Sequence, residues 1–386
     1  MQLHFIHPPL RATGTRSLRT SGKLALSCAM LYCMSLSACS KSSDSGSAGE
    51  SFTSIESDVI NNFVNQTALP QYNSLFATAT ILNISIDTLS NNPNNANLAT
   101  VQTNWRAIRT VWERCEGFLI GPVEAYDYDP NSDTWPTDYH QMDSLLTSSN
   151  PLTVTDVRNL PQTLRGYHPI EYLIFGVGGT RTASQLDARK KQYLVSLAAD
   201  LLNNDVTPLL ISWTSAPVNY EQAILTAGAG NTVYSSRQAF FLDVVGDNGM
   251  AGICNEVGEQ DQDGKIYNPY ITKDSTLSES PYSGNSLADF KNNIIGLQQV
   301  YMGLNGGKGI KDLVAAKNTS LDNQIQAAIN SAVSSFDNIS GANNERFEEA
   351  IFDRRTQIRT TMDQLNTLQG LLENDLTNFI TQYVKD

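Results

Sequence analysis

The sequence predicts an all-α protein: two antiparallel helical bundles with long connecting loops. Three observations carry this. Apolar residues recur at spacings of three and four over several long segments, the period of a helix with one buried face. Alternating β-branched runs joined by Asn-Gly or Asp-Gly turns are not found. The chain has 386 residues, 40% hydrophobic and 17% charged, enough apolar material for one large core or two smaller ones.

The first 38 residues read as an address. Arg11, Arg16, Arg19 and Lys23 form a basic region with no acidic residue before Asp44. Leu24 to Ala38 is apolar but too short for a stable membrane span, as in a secretory signal. It runs into Leu36-Ser37-Ala38-Cys39, which resembles a bacterial lipobox, in which the cysteine is diacylated and becomes the new N-terminus. A plain signal peptide cut elsewhere is the alternative. Residues 1–38 are thus read as a lipoprotein signal peptide and 39–50, rich in Ser and Gly, as a flexible tether. The expected location is the bacterial cell envelope, periplasm or outer membrane, with Cys39 holding the protein to a membrane.

Cleavage there changes the arithmetic. The whole chain carries 26 Lys and Arg against 39 Asp and Glu, net −13. Losing four basic residues leaves −17. That sign argues against binding nucleic acid through its phosphates and fits a cationic partner or a soluble envelope protein. Mean hydropathy is −0.27 and no apolar run approaches 18 residues, which excludes a polytopic membrane protein. Cys28 and Cys33 leave, so Cys115 and Cys254 remain beside Cys39, too few for a zinc ribbon or a disulfide scaffold. His140 and His168 are the two histidines left.

The helices follow in order. Leu98, Val101, Trp105, Ile108, Trp112, Cys115 and Leu119 trace one stripe. Leu186 to Ile211, Tyr220 to Val245, Leu287 to Tyr301 and Leu321 to Ile339 read as further helices. Ser286 with Asp289 has the spacing of a capping box for the third of these. Phe347, Ile351, Ile358, Met362, Leu365, Leu368, Leu372, Leu376, Phe379 and Tyr383 predict a C-terminal helix of about ten turns, or two stacked ones. Breakers separate them, the longest being Asp261 to Gly284, a length more often functional than idle. The bundles are placed at 51–210 and 211–386, with the boundary near 205–218.

Three segments could carry chemistry. In Gly166-Tyr167-His168-Pro169-Ile170-Glu171, an imidazole and a carboxylate three apart can share a metal ion. Pro169 also suits a first helical position; that would make His168 the N-cap and Glu171 a capping-box acid. In Trp112-Glu113-Arg114-Cys115-Glu116, two carboxylates border the apolar stripe. They either meet a cation or reduce to an Arg109–Glu113 ion pair with a solvated Glu116. The third, Glu279 to Phe290, offers oxygens at a helix start, for which capping alone accounts. Asp127, Asp129 and Asp133 lie together in a loop without an EF-hand pattern. His-Glu-x-x-His is absent, and the inverted zinc motif would need a histidine where Tyr172 stands, so a three-ligand zinc site is hard to build. Carboxylates with one His suit iron, or another hard to borderline cation, better.

Together and in this order, these segments resemble the imelysin family. The carriers are Asn104-Trp105-Arg106, Trp112 to Phe118, Gly121-Pro122-Val123, Trp135-Pro136, Gly166 to Gly176, Ser280 to Ser286 and Tyr301-Met302-Gly303. Gly166, His168 and Glu171 form the family's Gly-x-His-x-x-Glu signature. The resemblance implies a two-bundle fold, exported or lipid-anchored, with a site in the cleft between the bundles and a link to iron acquisition. It implies His168, Glu171, Glu113 and Glu116 as metal-site residues, with Gly166, Tyr282, Ser283, Ser286 and Asp289 around the cleft. The expected partners are a metal ion, most simply iron, the membrane, and iron-uptake components in it. A metallopeptidase of the imelysin type, or a module binding a polysaccharide or a protein, are the competing readings.

Overall fold

The computed structural model describes residues 50–261 and 264–385. The expected signal peptide, the expected tether up to residue 49 and Cys39, the expected lipidation position, lie outside the described residues. No β-strand occurs among the described residues, so the all-α class holds. Eight helices position the site: α1 (Leu69–Asn91), α2 (Asn95–Cys115), α3 (Tyr167–Phe175), α4 (Ala188–Asp200), α5 (Met250–Gly258), α6 (Ser286–Met302), α7 (Thr319–Ser340) and α8 (Arg355–Gly370).

Short connections make antiparallel neighbours. Three residues join α1 to α2, and Asn94 starts α2 by accepting the Asn97 amide at 2.9 Å. α4 lies on α1, α2 packs along α6, α7 backs α6, and α8 meets both α7 and α5. The predicted stripe from Leu98 to Cys115 is buried throughout. α4 continues to Thr214 through a π turn, and Ala188–Thr214 is long and apolar enough to cross a membrane by length and composition. Burial of Tyr193, Leu194, Leu197, Leu201, Leu209 and Trp213 in the core accounts for that hydropathy.

The central pair, α2 and α6, meets through glycine. A Cβ on Gly296 would fall 2.2 Å from the Arg114 carbonyl oxygen, and one on Gly117 would fall 2.5 Å from the Leu297 nitrogen. Backbones this close leave no room for a side chain. The crossing therefore sets how the polar faces of α2 and α6 oppose one another just beyond it.

Two sequence expectations are corrected, and one open alternative is decided. Tyr220 to Val245 is not one helix but two, Tyr220–Leu225 and Arg237–Val245. Gly228 (φ 148) and Gly230 (φ 92) take conformations no helix uses, and the Asn231 side chain ties down Ala223 O, Val233 N and Tyr234 N instead. The C-terminal apolar run divides at Arg354 into Phe347–Asp353 and α8, which continues through a π turn to Tyr383; the two-helix alternative is the one realised. The Ser286/Asp289 capping box does not form. Asn285 is the N-cap and makes no side-chain capping bond.

Candidate metal centre

α2 delivers Arg109 and Glu113 from successive turns, and the 3-10 turn Glu116–Phe118 that ends it adds Glu116. All three are buried. A buried arginine is tolerable only if its charge is met. Arg109 pairs with Glu113 and Asp133, lies 3.0 Å from Glu279 and 3.8 Å from Asp289, and faces the Tyr167 ring at 5.3 Å. The Arg109–Glu113 pair expected from spacing is present. The solvated Glu116 that went with it is not: Glu116 is 2% exposed. Its Oε2 and that of Glu113 both accept from Asn293 Nδ2 on α6, because the close crossing brings that face of α6 against α2.

His168 enters at the start of α3. It is the second helical residue, and Gly166 is the N-cap. The capping-box alternative for His168 and Glu171 is therefore corrected. Pro169 is accommodated because the first-turn N–H groups of a helix have no intrahelical partner to lose. Gly166 is required twice over: its φ is 83°, and a Cβ there would fall 2.0 Å from the Ser132 carbonyl oxygen. That approach sets Asp133, the next residue after Ser132, against the imidazole. His168 Nε2 lies 3.0 Å from Asp133 Oδ1 and 3.5 Å from Glu279 Oε1. Despite those distances, buried Nε2 makes no hydrogen bond among the described residues.

The other face of the ring meets Glu171, whose Oε2 is 3.5 Å from His168 Nδ1. To hold a metal ion, Nε2 must give up any proton it shares with Asp133, and Nδ1 then keeps the hydrogen it donates to Glu171. Glu171 Oε1 accepts the backbone amides of Tyr282 at 3.1 Å and Ser283 at 2.7 Å. The loop from Ser278 to Asn285 is thereby fastened over the centre. Ser286 accepts the Ser280 amide at 2.9 Å and donates to Glu348 at 2.6 Å; Asp289 accepts from Ser280 Oγ and from Asn285 Nδ2, each at 2.6 Å. Ser286 and Asp289 thus hold the loop, not the helix end. Arg106 adds bonds to Ser283 O and Asn285 Oδ1.

Glu113 and Glu116 thus share one group with Asp133, and His168 shares another with Asp133 and Glu279, while Glu171 touches the imidazole from its Nδ1 side. Tyr282 and Ser283 take part through their backbone; the Tyr282 ring packs on Tyr172. His140 stands apart, exposed and stacked on Tyr139. Sequence reasoning missed Asn293 and Lys265, and gave Asp133, Glu279 and Arg109 no place at the centre. Asp133 and Glu279 sit in irregular chain, where no periodicity marks which face is buried. The close-approach glycine beside Ser132 was the one available signal.

The electrostatics follow from burial. Six buried carboxyl groups (Glu113, Glu116, Asp133, Glu171, Glu279, Asp289) surround two buried obligatory cations, Arg109 and Lys265. Burial pushes Glu113 up to about 8, partly offset by Arg109, and holds Glu116 well above the carboxylate range, with Glu113 adding to it. Burial also works against Asp133, but Arg109 and His168 outweigh it and hold that group far below its ordinary value. For His168, burial opposes the proton, while its contacts with Asp133, Glu171 and Glu279 raise its affinity well above normal. The centre carries more acid than it can ionise against its own cations.

The donor set fits a metal ion. Ligand atoms of Asp133, His168 and Glu279 all lie within 4.8 Å of one another, as do those of Glu113, Glu116 and Asp133. Two ligands each about 2.1 Å from one ion stand about 3.0–3.4 Å apart, close to the observed spacings around His168 Nε2. One imidazole among carboxylates suits iron or manganese better than zinc.

A helical fold enclosing a buried carboxylate–imidazole centre is the class that fold and site define. The imelysin family profile matches residues 68–372, and the chain belongs to that family. It is 30% identical over 257 residues to Iron-regulated protein A of Synechococcus elongatus, covering 66% of this chain and 67% of that one. The fold matches the crystal structure of an iron-regulated protein A precursor from Parabacteroides distasonis with a TM-score of 0.74 at 24% identity, over 88% of this chain and 97% of that one. It also matches an imelysin-like protein from Psychrobacter arcticum 273-4 with a TM-score of 0.63 at 12% identity, over 87% of this chain and 98% of that one.

Proposed function

We propose that this protein binds a metal ion, iron, as cargo in the bacterial cell envelope, and serves iron acquisition together with membrane uptake components. The observation that carries this reading is the buried Nε2 of His168. Among the described residues it has no hydrogen-bond partner, and it lies within 3.5 Å of Asp133 and Glu279 oxygens. His168, Asp133 and Glu279 are the ligands; Glu113 and Glu116 form an adjoining carboxylate pair; Glu171 orients the imidazole. Relatives whose names state regulation by iron support the choice of metal. The −17 charge after cleavage and the lipobox ending in Cys39 support an anchored envelope protein. The division into bundles at 51–210 and 211–386 belongs to the same reading, with the centre formed by α2, α3, α6 and the 278–285 loop.

The peptidase and polysaccharide readings gain no observation from the geometry. Glu171, the acid of the signature, is held by two amides and the imidazole, which ties it down where a general base must be free to reach a water.

Calorimetric titration with ferrous and ferric iron tests the proposal. Binding is expected in the wild type and lost in the His168→Ala/Glu171→Ala double variant. Equal affinity in the two proteins would overturn it.

A further inference from the structure

A cavity of about 410 Å³ opens beside the centre. Asp133 forms part of its wall, together with Asp129, Trp135, Glu256 and Lys265. Lys265 is the inner boundary: it is 6% exposed, and its Nζ stands 2.7 Å from Glu256 Oε1 and 3.5 Å from Glu279 Oε2. Glu256 is more than a third exposed, whereas Glu279 is at 1%. The ammonium therefore bridges a carboxylate on the cavity side and one inside the centre. The inner oxygen, Glu279 Oε2, is buried and makes no hydrogen bond among the described residues.

The two buried cations differ in what holds them. Arg109 is gripped by four carboxylates and faces a tyrosine ring; its planar fork is committed in several directions at once. Lys265 is a point charge on a flexible four-carbon stem, with open volume on one side and an exposed acceptor in that volume. A metal ion bound by Glu279, Asp133 and His168 would stand within a few ångströms of this ammonium. Two cations that close in a buried setting repel strongly, and one must give way.

We propose that Lys265 is a built-in counter-ion for the ion-free centre, and that an entering divalent cation displaces its ammonium into the Asp129–Glu256 cavity. This rests on the metal-binding reading above and adds how the site stays neutralised before loading and where the ion enters. Without such a counter-ion, the inner carboxylates would be buried charges with one fewer partner. With it, the ion exchanges one charge for another, and Glu256 receives what is displaced.

The test uses the full-length chain and ferrous iron under anaerobic conditions. Lysine acylation by an N-hydroxysuccinimide ester, read by peptide mass spectrometry, should leave Lys265 protected without iron. At saturating iron it should label roughly tenfold faster or more, since ion repulsion drives it outward, while exposed Lys273 and Lys385 stay unchanged. In parallel, calorimetry on Lys265→Met should show iron bound roughly tenfold more tightly than by wild type, because the competing charge is gone. Lys265 remaining protected while calorimetry shows iron bound overturns the displacement and leaves the metal reading standing. No binding by either protein overturns the metal reading and the displacement with it. If Lys265→Met does not fold, the wild-type labelling decides alone.

Discussion

Asp133 Oδ1 lies 3.0 Å from His168 Nε2, although one residue sits in an irregular loop and the other in the first turn of a helix. The same carboxylate takes Arg109 on Oδ1 and accepts the Trp112 indole N–H on Oδ2 at 2.8 Å. It is the point where the stabilising ion pair of α2 and the candidate ligand of α3 meet, so the fold and the chemistry depend on one side chain.

Asp133→Asn should therefore affect both. Removing one partner of a buried ion pair leaves an uncompensated charge and costs about 3–5 kcal/mol. Iron affinity should fall at least roughly tenfold, as for loss of a metal-site partner. Urea unfolding and calorimetry measure the two effects. Unchanged iron binding in a folded Asp133→Asn protein would remove Asp133 from the ligand set.

Glu171→Gln separates orientation from stability. A glutamine carbonyl can still accept the Tyr282 and Ser283 amides, but its NH₂ then faces His168 Nδ1. The imidazole must turn an acceptor toward it, which moves the hydrogen to Nε2 and blocks the lone pair. Iron affinity should drop about 10- to 100-fold with a melting temperature close to wild type. Retained affinity would show that Glu171 does not set the tautomer.

The metal-free protein should lose stability as pH rises from about 5 to 8. Glu113 and Asp129 are both pushed up to about 8, first by burial. Arg109 opposes the rise at Glu113, and Asp289, Asp133 and Glu279 add to it. Glu256, Asp133 and Glu279 add to it at Asp129, against Lys265. Since these values exceed those of the unfolded chain, near 4, the folded state holds more protons across the window. Stability is then greatest on the acid side of it and declines as pH climbs. The raised His168 value acts in the same direction from about pH 6.5 upward; Asp133, held low, contributes only below the window. Melting temperatures at pH 5.5 and pH 8 check the sign, and Glu113→Gln should narrow the difference. A melting temperature that climbs over this range would refute a protonated Glu113.

Gly296→Ala tests the scaffold. The added methyl would meet the Arg114 carbonyl 2.2 Å away, backbone that cannot swing aside, so α2 and α6 must part. Overpacking of this kind costs about 1–3 kcal/mol. It should also weaken iron binding, because Asn293 on α6 would draw away from Glu113 and Glu116. Chemical denaturation with calorimetry reads both; a variant as stable as wild type would show that the crossing yields easily.

By itself, the sequence determined the helical class, most helix spans, and the local pairs whose members are three or four residues apart. The Leu98–Cys115 stripe, the Arg109–Glu113 pair and the His168–Glu171 pair were legible because helical period is a property of adjacent residues. The signature Gly-x-His-x-x-Glu likewise marked one wall of the centre. Tertiary structure decided the rest. The Tyr220–Val245 run was broken by glycine conformations and an asparagine that captured the backbone. Ser286 and Asp289, at capping-box spacing, were drawn to the 278–285 loop instead. Asp133 and Glu279 became partners of His168 only when Gly166 met Ser132 and the loop closed over α3. Burial then shifted the acids. Charge pairing acts through space and at low dielectric, so a carboxylate in irregular chain reveals its partner only once the core has excluded water around it.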